Sequence, residues 1–201
     1  MRERGLVIWL TGLSGAGKTT LARALSERLS FWGFRVEVLD GDEIRENLSR
    51  GLGFSREDRK INVGRIGFVA RLLARNGVIV LAAAISPYRQ SRDDVRKSIE
   101  SDGVRFVETF VRCPIDVLVE RDVKGLYKKA LAGEIPNFTG ISDDYEEPLA
   151  ADIVVDSSTE SIEQSAARIL LHLRRTGALT TLPATKSPAA PLRFEESAAA
   201  D

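Results

Sequence analysis

The run Gly12-Leu13-Ser14-Gly15-Ala16-Gly17-Lys18-Thr19, followed by Thr20, holds three glycines, a lysine and a hydroxyl at fixed spacing. It matches GxxxxGK[ST], the pattern of a loop that cradles phosphates. Gly12, Gly15 and Gly17 let the backbone turn tightly and approach an anion. The N–H groups of the loop, those of Leu13, Ser14 and Ala16 included, then point inward as a nest, and the helix starting near Lys18 adds its positive end. Lys18 is placed to bridge the β- and γ-phosphates of a triphosphate, and the Thr19 hydroxyl to take one position on Mg²⁺. Glycine-rich turns between strand and helix also serve packing alone. Here an apolar run, LVIWL, precedes the motif and LARALSERL follows it, which is the context a phosphate loop needs.

A bound triphosphate is either hydrolysed to drive a switch or gives its γ-phosphoryl to a small molecule. A switch or motor usually carries a carboxylate at the end of a core strand, but the apolar strand Val78 to Leu81 runs into three alanines and Ile85-Ser86-Pro87. The carboxylates at a suitable strand end are Asp40 and Asp42, in LDGDEIR. An aspartate there can take the proton of an acceptor hydroxyl lying against the γ-phosphate. The plainer alternative is an Asp-Gly turn with Asp42 capping a helix that begins at Glu43. Open α/β sheets bind ligands at the carboxyl ends of their strands, where Gly12 and Asp40 both fall, and this favours the chemical reading.

Just downstream, Arg45, Arg50, Arg56, Arg59 and Lys60 form a dense basic run. Guanidinium forks suit phosphate or sulfate oxygens, although Arg50 and Arg56 read as solvated positions. Phe54 and Phe138 lie outside regular elements. Core packing is the commoner fate of a lone phenylalanine, but two flanking an anion site can hold a flat ring between them.

The elements that position these residues alternate. Leu6 to Leu10 reads as a strand and Lys18 to Trp32 as a helix. Val36 to Leu39 is a second strand. Ser55 with Asp58 opens a helix that ends at Asn76-Gly77, and Val78 to Leu81 is a fully apolar strand. A charged helix after Pro87, the strand Arg105 to Val111, a short helix Pro114 to Asp122, the strand Ile153 to Val155 and a helix from about Thr159 to Arg174 follow. Strands separated by helices predict an α/β fold, a three-layer sandwich around a mainly parallel five-stranded sheet. The segment from Lys124 to Pro148 has too little apolar periodicity for a core element and is long for a plain connection, so it reads as a mobile lid. Residues 1–176 then form one domain, and 177–201, rich in Ala, Pro, Ser and Thr, read as a disordered tail.

Composition narrows the partners. The 29 Lys and Arg balance the 29 Asp and Glu, so no net field draws the chain to nucleic acid or anionic lipid, and an anion must be held by a local cluster. No apolar run has secretory or transmembrane length. The lone Cys113 permits no internal disulfide and fits a reducing compartment, which makes the cytoplasm the expected location. Cys113 and the sole histidine, His172, read as structural.

Taken together, GLSGAGKTT, LDGDEIR, LGFSREDRKINVGRI, ISPYRQSRDDVR, ERDVKGLYKKALAGEIPNFTGISDDYEEP and IVVDSS resemble, in order and spacing, the adenylylsulfate kinase family, as far as about Leu173. The loop alone is widely shared; the combination of DGD, FSREDR, ISPYR and KGLYKKA is far more specific. The resemblance implies transfer of the γ-phosphoryl of ATP, with Mg²⁺, to the 3′-hydroxyl of adenosine 5′-phosphosulfate. It implies that Arg45, Arg59 and Asn62 bind the phosphosulfate side, that Phe54 and Phe138 sandwich the adenine, and that Ile85 and Ser86 lie along the acceptor. Asp42 would act as base or orient the hydroxyl and Asp40 would hold Mg²⁺ through water, the division between them being open. Lys128 would meet the developing phosphate charge and the lid would close over both nucleotides. A phosphoserine at Ser86 has been proposed in this family; with no His or Lys beside it, Ser86 reads better as an N-cap or a hydrogen-bonding group. The family also implies a homodimer and association with sulfate adenylyltransferase. Two alternatives are a kinase of another small acceptor and a non-catalytic nucleotide-binding regulatory domain.

Overall fold

The computed structural model describes residues 5–179, and all structural statements concern these. Leu6–Thr11 forms β1, buried at every position because both faces of the strand are covered. The chain crosses over through α1, Lys18–Phe31, to the edge strand β2, Val36–Asp40. Next come α2, Gly41–Glu46, and α3, Arg56–Ala74, which begins where Ser55 Oγ accepts from the Asp58 N–H. Then follow β3, Ile79–Ala83; α4, Arg89–Glu100; β4, Arg105–Arg112; α5, Ile115–Arg121; α6, Leu126–Leu131; β5, Ile153–Asp156; and α7, Ile162–Arg175. The strand order is β2-β3-β1-β4-β5, parallel throughout.

The alternation of side chains along β1 builds two cores. Leu6, Ile8 and Leu10 face α1 and α7, where they meet Leu21, Leu25, Ile169 and Leu173. Val7 and Trp9 face α3 and α4, where they meet Ile66, Ala70, Val95 and Ile99. Helices α3 and α4 approach closely at Gly67, where an added Cβ would lie 2.6 Å from Val95 Cγ2.

Several boundaries differ from the sequence reading. Strand β3 continues through Ala82 and Ala83, since both pair with β1 and β2. The last helix starts at the capping box of Ser161 and Gln164 rather than near Thr159. The segment read as having too little apolar periodicity for a core element contains α6, whose Tyr127 and Ala130 are buried; a single helical turn and a half is too short to show a period in the sequence. Described chain also runs past 176, and Leu179 packs into the first core, while the tail beyond it lies outside the described residues.

Candidate active site

The loop 12–17 leaves the carboxyl end of β1 and feeds α1. Gly12 has φ 150° and sits so close to β4 that a Cβ would meet the Val111 carbonyl oxygen at 2.3 Å. Gly17 caps α1 with φ 88°, a left-handed conformation that favours glycine. Lys18 is buried and its Nζ donates to the Leu13 carbonyl at 2.7 Å. Burial, reinforced by the neighbouring Lys124 charge and opposed by Asp42 and Asp40, pushes its ammonium down to about 8. Thr20 points outward, exposed on the first turn of α1.

Across the loop, the Thr19 hydroxyl donates to Asp40 Oδ2 at 2.6 Å. The other Asp40 oxygen accepts from the Asp42 and Glu43 N–H groups, so Asp40, not Asp42, is the N-cap of α2. Burial raises the Asp40 pKa, but the hydrogen bonds from Thr19, Asp42 and Glu43, with the Lys124 charge, outweigh it and hold the carboxyl below its ordinary range. Asp42 is exposed and its carboxylate meets the Lys124 ammonium at 2.5 Å. Lys128, the lysine expected to meet the phosphate charge, is exposed on α6, and it is Lys124 that reaches Asp42. The hydroxyl of Thr19 and the carboxylate of Asp40 are hard oxygen donors that suit Mg²⁺ held partly by nucleotide and water. No group of three or more His, Cys, Asp or Glu that could hold a metal on its own occurs among the described residues.

The residues expected on the acceptor side lie on α2, just before and on α3, and in the segment read as a lid. Arg45 lies over the Phe54 ring, 4.5 Å from its centroid, and donates to the Gly53 carbonyl. Arg59 is buried; its Nε donates to the Phe54 carbonyl and its second guanidinium nitrogen to the Asn137 carbonyl. It therefore ties the segment carrying Phe54 to the segment carrying Phe138. Phe54 is 55% exposed, whereas Phe138 is partly buried edge-on to Tyr127 at 5.1 Å. Asn62 Oδ1 is buried with no hydrogen-bond partner among the described residues, a cost of roughly 1–3 kcal/mol that a donor on a ligand would remove.

Ile85 and Ser86 lie at the end of β3. Ser86 is not an N-cap, since Tyr88 holds that position on α4 without a side-chain bond. It adopts φ 42°, away from the extended backbone that a following proline favours, with its hydroxyl and carbonyl both held by buried hydrogen bonds. Such a conformation costs a non-glycine residue roughly 1–2 kcal/mol. Its buried hydroxyl accepts from Trp9 Nε1 at 3.0 Å and donates to Thr11 Oγ1 at 3.1 Å. The lid touches the loop as well: Tyr127 Oη donates to the Ser14 carbonyl at 2.8 Å. Lys124 and Tyr127 lie in the KGLYKKA stretch but take no role from the sequence reading, and Thr11 carries no motif signal; contacts between distant segments single out all three.

A parallel sheet with a phosphate loop after β1, an aspartate pair after β2 and a lid over both defines a P-loop kinase of small molecules. The adenylylsulphate kinase family model matches residues 4–156. An adenylyl-sulfate kinase of Myxococcus xanthus is 60% identical over 178 residues, covering 89% of this chain and 96% of the relative. A Sorangium cellulosum protein named "Probable bifunctional SAT/APS kinase 2" is 58% identical over 173 residues, 86% of this chain but 29% of that protein. Among solved structures, the Mycobacterium tuberculosis APS kinase CysC, in complex with AMPPNP and APS, is 42% identical with a TM-score of 0.83, covering 85% of this chain and 98% of that one. The chain belongs to the adenylylsulfate kinase family.

Proposed function

We propose that this chain passes the γ-phosphoryl of ATP to the 3′-hydroxyl of adenosine 5′-phosphosulfate, giving 3′-phosphoadenosine 5′-phosphosulfate and ADP. The observation that carries the phosphoryl-transfer reading is the exposed Asp42 carboxylate paired with the lid lysine Lys124, near enough to the loop lysine Lys18 for both charges to act on it. Thr19 and Asp40 would hold Mg²⁺, which when bound neutralises and orients the donor phosphates. Lys18 leaves the Leu13 carbonyl for the β- and γ-phosphates. Asp42 leaves Lys124 to accept the acceptor proton, and Lys124 then faces the charge that develops on the transferred group. Lys128 is the weaker candidate for that last task because it is exposed on α6 while Lys124 is the lysine paired with Asp42. Arg45, Arg59 and Asn62 would bind the phosphosulfate, and Phe54 with Phe138 would hold the adenine, Arg59 setting their spacing. Ile85 and Ser86 border the acceptor; with its hydroxyl shared between Trp9 and Thr11, Ser86 acts here through its backbone rather than as a nucleophile.

The test is ADP release from Mg-ATP with adenosine 5′-phosphosulfate, adenosine monophosphate, gluconate and shikimate in parallel. Turnover confined to the phosphosulfate supports the reading, and turnover with another acceptor overturns the acceptor site while keeping the donor loop. ATP binding without any turnover favours a regulatory domain. The homodimer, the cytoplasmic location and an association with sulfate adenylyltransferase belong to the same proposal; the bifunctional relative supports the last, and light scattering of the purified chain tests the first. No helix among the described residues is long and apolar enough to cross a membrane.

A further inference from the structure

Arg92, on α4, is 2% exposed, yet its guanidinium reaches three separate parts of the chain. Its Nε donates to Glu108 Oε1 on β4 at 2.8 Å, one terminal nitrogen donates to the Ser86 carbonyl at 2.7 Å, and the other to the Glu146 carbonyl at 2.7 Å. The rest of the contact between residues 85–89 and 143–147 is built around that bridge. The Glu146 N–H donates to the Pro87 carbonyl, the Arg89 N–H to the Glu146 carboxylate, Arg89 Nε to the Glu147 carbonyl, and Tyr88 Oη to Asp143. A second connection runs beneath it: the single Thr11 hydroxyl proton goes to the Ile85 carbonyl at 2.7 Å, so its lone pairs receive Ser86 Oγ at 3.1 Å and Tyr145 Oη at 2.9 Å.

We propose that Arg92 is a positioning residue that fastens the loop bordering the acceptor, 85–88, to the returning end of the lid, 143–147, so that acceptor affinity depends on it and donor affinity does not. The inference rests on the acceptor reading above. Neutralising Glu108 does not account for Arg92, because Arg96 also stands 3.6 Å from Glu108 and would remain. Neither of the two carbonyls has such a substitute in Arg96. A planar fork with donors on three nitrogens can span three acceptors, whereas a lysine presents its donors from one atom.

Arg92→Lys keeps a cation beside Glu108 and loses the bridge, so it separates the two roles. Amide hydrogen exchange of the full chain without substrates should be at least tenfold faster over residues 143–148 in Arg92→Lys, with residues 12–19 unchanged. Steady-state kinetics should show KM for adenosine 5′-phosphosulfate raised about tenfold or more, with KM for ATP within about twofold of the parent. Unchanged exchange over 143–148, or a parallel rise in both KM values, overturns the proposal. Should Arg92→Lys not fold, Arg92→Met combined with Glu108→Gln removes the charge on both sides and is read in the same way. If the parent shows no turnover with the phosphosulfate, the acceptor reading fails, and the exchange measurement still decides whether Arg92 couples the two segments.

Discussion

Asp40 and Asp42 lie two residues apart, yet their carboxylates have different surroundings. Asp40 accepts from Thr19 and two backbone N–H groups, which leaves little capacity for a substrate proton. The Asp42 side chain is 73% exposed and held by Lys124 alone among the contacts described. Asp42→Asn should therefore lower kcat by about 10²–10⁴-fold while ATP binding, followed by calorimetry, stays near the parent value. Lys18 sets a pH dependence. With its ammonium at about 8 in the free protein, kcat/KM for ATP should fall as pH rises through that value, and Lys124→Ala, by removing a like charge, should move the midpoint upward. A profile flat from about pH 7 to 9 would count against a charged Lys18 in donor binding. The same depression has a stability consequence: between about 8 and the ordinary 10.5 the unfolded chain binds the extra proton, so this group's contribution to stability rises with pH across that window.

At the scale of elements, the lid divides into two parts. Residues 143–147 are stitched to the end of β3 and to α4, whereas the stretch carrying Lys124 and α6 reaches the site through Lys124 on Asp42, Tyr127 on Ser14 and Asn137 on Arg59. Limited proteolysis of the free protein should cut within about 123–137, and ADP with the phosphosulfate should slow that cutting, while 143–147 resists in both states. Equal cutting with and without ligands would remove the closing motion from the mechanism. Helix α3 offers a second check, since it carries Arg59 and Asn62 and must lie close to α4. Gly67→Ala drives a Cβ against the stiff, branched Val95 and should cost about 1–3 kcal/mol, read as a lower thermal midpoint. Gly64→Ala enters open space one turn earlier and should stabilise by about 0.5–1 kcal/mol.

Over the whole molecule, the parallel order β2-β3-β1-β4-β5 brings the ends of β1, β2 and β3 to one edge, where the phosphate loop, the aspartates and Ser86 meet. The segment between β4 and β5 crosses that edge and touches the phosphate loop at Ser14, Asp42 after β2 and Arg59 on α3. Ligands that bind only this folded arrangement should stabilise it by mass action, about 2.7 kcal/mol at one hundred times Kd. Mg-ADP and the phosphosulfate added together should raise the thermal midpoint beyond either one alone, as measured by differential scanning fluorimetry, because each finds the lid already placed by the other. With Lys and Arg equal to Asp and Glu, at 29 each, little long-range steering assists binding, so KM should change modestly with salt.

Local chemistry written in consecutive residues was legible without coordinates. The loop from Gly12 to Thr19, the capping serine at 55 and the fully apolar β3 each depend on neighbours a few positions away, and spacing alone reveals them, whereas the turn expected after β2 proved to be the start of α2, capped by Asp40. The α/β order followed from the same patterns, because parallel strands need crossover helices. What tertiary structure decided are the pairings across long separations: Lys124 with Asp42, Arg59 between Phe54 and Asn137, Tyr145 on Thr11, and Arg92 across Ser86, Glu108 and Glu146. In the sequence Arg92 is one charge among several on a charged helix, and α6 is too short to declare a period. Burial and partner choice are properties of the packed chain, and so the different surroundings of the two aspartates, and of Lys124 and Lys128, emerged only when the sheet brought their segments to one edge.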